Sequence, residues 1–113
     1  MTRIYKILDR ADWDAAVKAG RFDGAPVDLH DGYIHFSTAE QAQETADKHF
    51  HGAPDLVVAA FEAEDLGPAL RWEPSRGGQL FPHLYGPLDP ALARTVTEAP
   101  LGPDGAPRLG ALR

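Results

Sequence analysis

Two histidines carry the clearest chemistry in this sequence. His35 stands between Ile34 and Phe36, and His83 between Pro82 and Leu84. On an extended chain successive side chains point to opposite faces, so each imidazole faces away from its apolar neighbours. An imidazole so placed can hold a sugar hydroxyl or a phosphate oxygen, or move a proton near neutral pH. Bonding to a backbone carbonyl is the structural alternative. Glu73 follows Arg71 and Trp72 and precedes Pro74. A carboxylate there can polarise a hydroxyl or stabilise an oxocarbenium ion, or simply pair with Arg71 or Arg76. Lys6 and Arg71 can neutralise a diphosphate or face solvent. Tyr85 can stack on a flat ring or fill the core. No metal centre is indicated, because His49 and His51 diverge at i, i+2 near a helix end and no third ligand is spaced to join them.

The stretch that must position His35 runs from Asp31 to Gln41. Asp31-Gly32 is a turn dipeptide, and Tyr33 to Phe36 reads as a short β-branched and aromatic strand. Ser37 with Glu40 three residues on forms a capping box, which predicts a helix from Thr38 to about Phe50 with Ser37 as its cap. That junction gathers free N–H groups and a partial positive charge beside His35, so Ser37 joins the candidate ligand-binding residues. The helix carries Ala39, Ala42, Ala46 and Phe50 as its apolar stripe.

Around this centre the chain punctuates itself clearly. Ile4 to Leu8 reads as a first strand. A helix follows from about Arg10 to Ala19, with Asp9 as N-cap, Trp13, Ala16 and Val17 on one face, and Gly20 as its stop. Gly24-Ala25-Pro26 is a break. Asp55 to Glu62 is apolar almost throughout and reads as a strand covered on both faces. Glu62 to Pro68 reads as a loop, Leu70 to Glu73 as a short strand, and Pro74 to Gly78 as a loop. Leu80 to Leu88 contains two Pro and a Gly, which suggests an edge or irregular strand. Ala91 to Glu98 is the last predicted strand. The tail from 99 to 113 is a terminal hairpin or frays.

Composition bounds the rest. At 113 residues the chain has room for one domain, 1–113 with a core over about 3–98, burying roughly two-thirds of the surface its unfolded form exposes. A 43% hydrophobic fraction can build a core, while 10 Pro and 11 Gly imply short elements and many turns. There is no Cys, so disulfides and thiolate metal sites are excluded and a cytoplasmic location is expected. The N-terminal residues have no apolar signal region, and no apolar run approaches ~18 residues, so no membrane association is expected. A net charge of −6 argues against DNA or anionic lipid as partner. The protein is expected to act as a monomer.

The words Tyr5-Lys6-Ile7, Asp31-Gly32-Tyr33-Ile34-His35-Phe36-Ser37, Trp72-Glu73 and Phe81-Pro82-His83-Leu84-Tyr85-Gly86 occur in this order. Over nearly all of residues 3 to 98 the chain resembles a family of small bacterial proteins known only as a domain of unknown function. That family is in turn thought to have the ADP-ribosyltransferase-like fold, an α+β arrangement with a split antiparallel β core and two main helices. The resemblance implies a cleft that takes NAD, ADP-ribose or a related nucleotide as substrate or ligand, with no separate cofactor required. It makes His35, His83 and Glu73 the expected catalytic residues, and Lys6, Ser37, Arg71 and Tyr85 the expected binding residues, Tyr85 stacking on a nicotinamide or adenine ring. Ile34-His35-Phe36-Ser37 looks like the histidine-bearing strand of RNA 2′-phosphotransferases, while Lys6 stands where the superfamily's first histidine is expected. A binding or interaction domain that kept this fold without the chemistry is the alternative implied.

Overall fold

The structure is a computed structural model that describes residues 2–112, apart from the side chain of Arg76. Its centre is β3, Leu56–Glu62, buried at every position. It pairs antiparallel with β1, Arg3–Asp9, on one side and with β6, Thr95–Ala99, on the other. Both faces of this sheet are covered, which is why β3 carries an unbroken apolar run. Ile4, Leu8, Val57, Ala59 and Phe61 turn to one face and pack with Trp13 and Ala16 of α1, Arg10–Ala19. Tyr5, Ile7, Leu56, Val58 and Ala60 turn to the other and meet Ala42 and Ala46 of α3, Ala39–His49.

A second antiparallel sheet lies against the first core face. Its strand order is β2-β5-β4, with β2 at Ile34–His35, β4 at Leu70–Pro74 and β5 at Leu80–Leu84. Ile34, Phe36 and Leu84 supply its apolar face to the core shared with Phe61. The sheets are tied where Ser37 and Tyr5 exchange backbone hydrogen bonds of 2.8 and 2.9 Å. The architecture is therefore α+β, with two three-stranded antiparallel sheets and α1 and α3 packed on the first.

Several expectations need correction. Ser37 is not a helix cap: its N–H and C=O are committed to Tyr5, and its hydroxyl lies 3.0 Å from that of Thr45. Thr38 is the cap instead, α3 starts at Ala39, and the Gln41 side chain accepts the Thr38 N–H at 3.1 Å. β5 is the middle strand of its sheet rather than an edge. Pro82 is tolerated there because its missing N–H falls where β2 ends: its carbonyl accepts from Phe36, and the β2 ladder goes no further. Val17 is exposed, so only Trp13 and Ala16 anchor α1. The strand expected over 91–98 is confined to Thr95–Ala99 after a 3-10 turn at Pro90–Leu92. Residues 63–69 form 3-10 turns broken at Gly67 rather than a loop.

One helix went unread in the sequence. α2, Pro26–Asp31, begins with Pro at its first position, where no N–H is needed, and ends on Gly32 at φ 90°. Beyond β6 the chain turns back at 102–106, with Leu101 bridging Pro107, and buries Leu109 beside Tyr5 and Ala42.

Candidate functional site

Strand register builds the site. His35 pairs with His83 and His83 pairs with Arg71, a row across all three strands of the second sheet. Directly opposed residues share a face, and residues two apart along a strand return to it. The row therefore places Glu73 and Phe81 on the face away from the core, while Ile34, Leu84 and Leu70 take the core face. The two imidazole centroids lie 5.6 Å apart, edge to face. Tyr33 stacks on His83 at 4.1 Å and lies 4.7 Å from His35 and 5.2 Å from Tyr85.

Each histidine has a carboxylate at Nδ1. Glu73 Oε1 is 2.9 Å from Nδ1 of His83 and also accepts the Tyr85 hydroxyl at 2.7 Å. Those bonds, from Tyr85 and then His83, hold the Glu73 carboxyl below its ordinary pKa. The His83 side chain is almost fully buried, and its Nε2 has no hydrogen-bond partner among the described residues. His35 is engaged at both nitrogens. Asp28 Oδ1 is 2.6 Å from its Nδ1, and Asp31 Oδ2 is 2.9 Å from its Nε2.

Asp28 also receives Lys6, whose Nζ lies 3.1 and 3.0 Å from its two oxygens, both side chains being buried. Burial is the largest influence on Asp28 and pushes its pKa up. The His35 bond, the Lys6 charge and the Ala25 N–H together outweigh it and bring the value down to about 2. Burial pushes the Lys6 pKa down, against the pull of Asp28.

A cleft of about 420 Å³ opens over this face, between α2, the C-terminal half of α3 and the β4–β5 connection. His35 and His83 line it with Lys6 and Asp31, and Tyr33, Phe50 and Phe81 give it aromatic walls. Of the residues expected from the sequence, His35, His83 and Lys6 border the cleft. Glu73 stands behind His83. Tyr85 and Arg71 are exposed beside it, the guanidinium 5.2 Å from the Tyr85 ring centroid. Ser37 lies away from the lining, bonded to Thr45. The Lys6 ammonium is already matched by Asp28 rather than left for a diphosphate. Asp28, Asp31 and Tyr33 are the participants that sequence reasoning did not single out. The unread α2 was the signal for Asp28, since an Asp two positions after a helix-starting Pro sits where its carboxylate can take an N-terminal amide. Among the described residues no three potential ligands are grouped to hold a metal ion, and no helix is long and apolar enough to cross a membrane.

Comparison with known proteins gives relatives and no activity. The family described as "Protein of unknown function (DUF952)" matches residues 7–96. The crystal structure of protein CC0527 from Caulobacter crescentus is 57% identical, with 96% of each chain covered and a TM-score of 0.94. The solution NMR structure of CC0527 is 57% identical, covering 97% of this chain and 95% of that one with a TM-score of 0.86. No curated protein matches the sequence.

Proposed function

We propose, for a chain that belongs to the DUF952 family of proteins of unknown function, that the cleft binds a ribose-bearing small molecule of the NAD or ADP-ribose type and that His83 exchanges a proton with it. One observation carries this reading: Glu73 holds Nδ1 of His83 while Nε2 has no hydrogen-bond partner among the described residues, on a ring that borders the cleft. A carboxylate at Nδ1 fixes the tautomer that leaves Nε2 as acceptor, the arrangement of a general base. The cleft volume suits a small ligand, and its aromatic walls suit a flat ring. His35 holds a sugar hydroxyl once Asp31 yields Nε2. Because the Lys6 charge is taken up by Asp28, the phosphates lie toward Arg71, on the same sheet face as His83. The resemblance to the ADP-ribosyltransferase-like fold supports the ligand class by analogy of fold.

A second reading, binding without turnover, draws on a separate observation: both nitrogens of His35 are already occupied by carboxylates. A thermal-shift and NMR screen of NAD, ADP-ribose and nucleosides tests the binding. Ligand at ten times its Kd raises stability by about 1.4 kcal/mol, through RT ln(1 + [L]/Kd). Product analysis of the same mixtures separates the two readings. Absence of any hit overturns both.

A further inference from the structure

We infer that Asp28 is the positioning residue of the site: its carboxylate fixes the tautomer and the orientation of His35, with Lys6 serving as its counter-ion rather than as a ligand-binding group. Asp28 joins parts that are otherwise separate. Its Oδ2 accepts the Ala25 N–H at 2.8 Å at the start of α2. Its Oδ1 accepts the backbone N–H of His35 at 3.1 Å and lies 2.6 Å from Nδ1 of the same residue. Lys6 reaches both oxygens from β1 of the other sheet. One side chain, 1% exposed, thus ties β1, α2 and β2 together through two residues that line the cleft, Lys6 and His35.

The chemistry follows from what each atom can do. An ionised carboxylate only accepts, so the 2.6 Å contact with Asp28 requires a proton on Nδ1 of His35, and the 2.9 Å contact with Asp31 takes one on Nε2 for as long as it is made. With Nδ1 and the backbone N–H both bound to one oxygen, the ring cannot turn without breaking a buried bond. Nε2 faces Asp31, a cleft-lining carboxylate that is one-third exposed; a ligand that displaces Asp31 meets Nε2, which accepts when the neutral ring carries its proton on Nδ1. Lys6 makes this arrangement stable: a lone buried carboxylate would lose its charge, while one paired with a buried ammonium keeps it. His83 and Glu73 repeat the motif across the strand pair, so each ring of the site has its Nδ1 held by a carboxylate.

The tautomer part of this inference stands without any ligand. The importance of His35 orientation for binding rests on the function proposed above. Long-range ¹H–¹⁵N correlation spectra of the wild-type protein near neutral pH should show His35 protonated at Nδ1. A neutral ring with its proton on Nε2 alone would overturn the inference, whatever the protein binds. Asp28→Asn by itself strands the Lys6 charge and keeps an amide oxygen able to accept from Nδ1, so the informative variant is Lys6→Met with Asp28→Leu, which removes both charges and both acceptor oxygens at similar volume. That variant should fold, lose the fixed tautomer of His35 and, where wild type binds ADP-ribose, bind it about tenfold more weakly. An unchanged His35 spectrum in the variant would refute the positioning role. A wild type that binds no ADP-ribose would refute the proposed ligand and leave the spectral result to decide the inference.

Discussion

Neutralising the Lys6–Asp28 pair should remove a distinct part of the protein's sensitivity to acid. Asp28 is depressed from 3.8 to about 2 in the folded state, so its ionised form is the one that folding favours. Its contribution is therefore full above the unfolded value near 4 and is lost as pH falls through about 2. A shift of just under two units corresponds to about 2 kcal/mol at neutral pH, with about half remaining at pH 3 and little at pH 2. The side chain is 1% exposed, so solvent screening removes little of this. The measurement is urea unfolding at a series of pH values for wild type and for the Lys6→Met, Asp28→Asn double variant. Other carboxylates titrate in both proteins and cancel in the difference. Replacing a buried ion pair by neutral groups of similar size is often close to neutral overall, so the variant should remain folded. The stability difference between the two proteins should then move by about 2 kcal/mol in the variant's favour between pH 6 and pH 2. A difference that stays constant with pH would refute the assignment of Asp28 as an ionised, strongly held carboxylate.

Three further outcomes follow from the same geometry. Glu73→Gln should lower any turnover by about a hundredfold or more with little change in KM, because it removes the group that fixes His83; equal rates would exclude the dyad. Asp31→Ala should leave the fold intact and strengthen ribose-ligand binding several-fold in a calorimetric titration, since it vacates Nε2 of His35; weaker binding would mean that Asp31 touches the ligand itself. Gln41→Ala should cost about 1–3 kcal/mol in thermal or urea unfolding, because the buried amide donates to the Leu80 carbonyl at 2.8 Å and accepts the Thr38 N–H, and a negligible loss would show those bonds to be replaceable by water.

The main elements were legible where local signals agreed with packing. β3 announced itself through its apolar run, and α1 through Asp9, Trp13 and Gly20. The expected box, Ser37 with Glu40, gave way to Thr38 with Gln41. The choice was made by Tyr5, which is 32 positions from Ser37 and takes its backbone. Pro82 argued locally for an edge, and only the shortness of β2 makes a central position affordable. For the site, types and alternation were enough to single out His35 and His83. The partners of His35 were hidden because Asp28 sits in a six-residue helix too short to show periodicity, and its role depends on Lys6, 22 positions away.

The central claim is that the His35–His83 cleft takes a ribose-bearing ligand with Nε2 of His83 as its contact. An NMR titration of isotope-labelled protein with ADP-ribose, run in parallel on wild type and His83→Ala, tests it most directly. The account predicts saturable shifts at Tyr33, His35, Phe81 and His83, and a loss in the variant of about 1.5–3 kcal/mol, roughly ten- to 150-fold in Kd, with the fold retained. Shifts confined to another surface, or equal affinity in the two proteins, would contradict it.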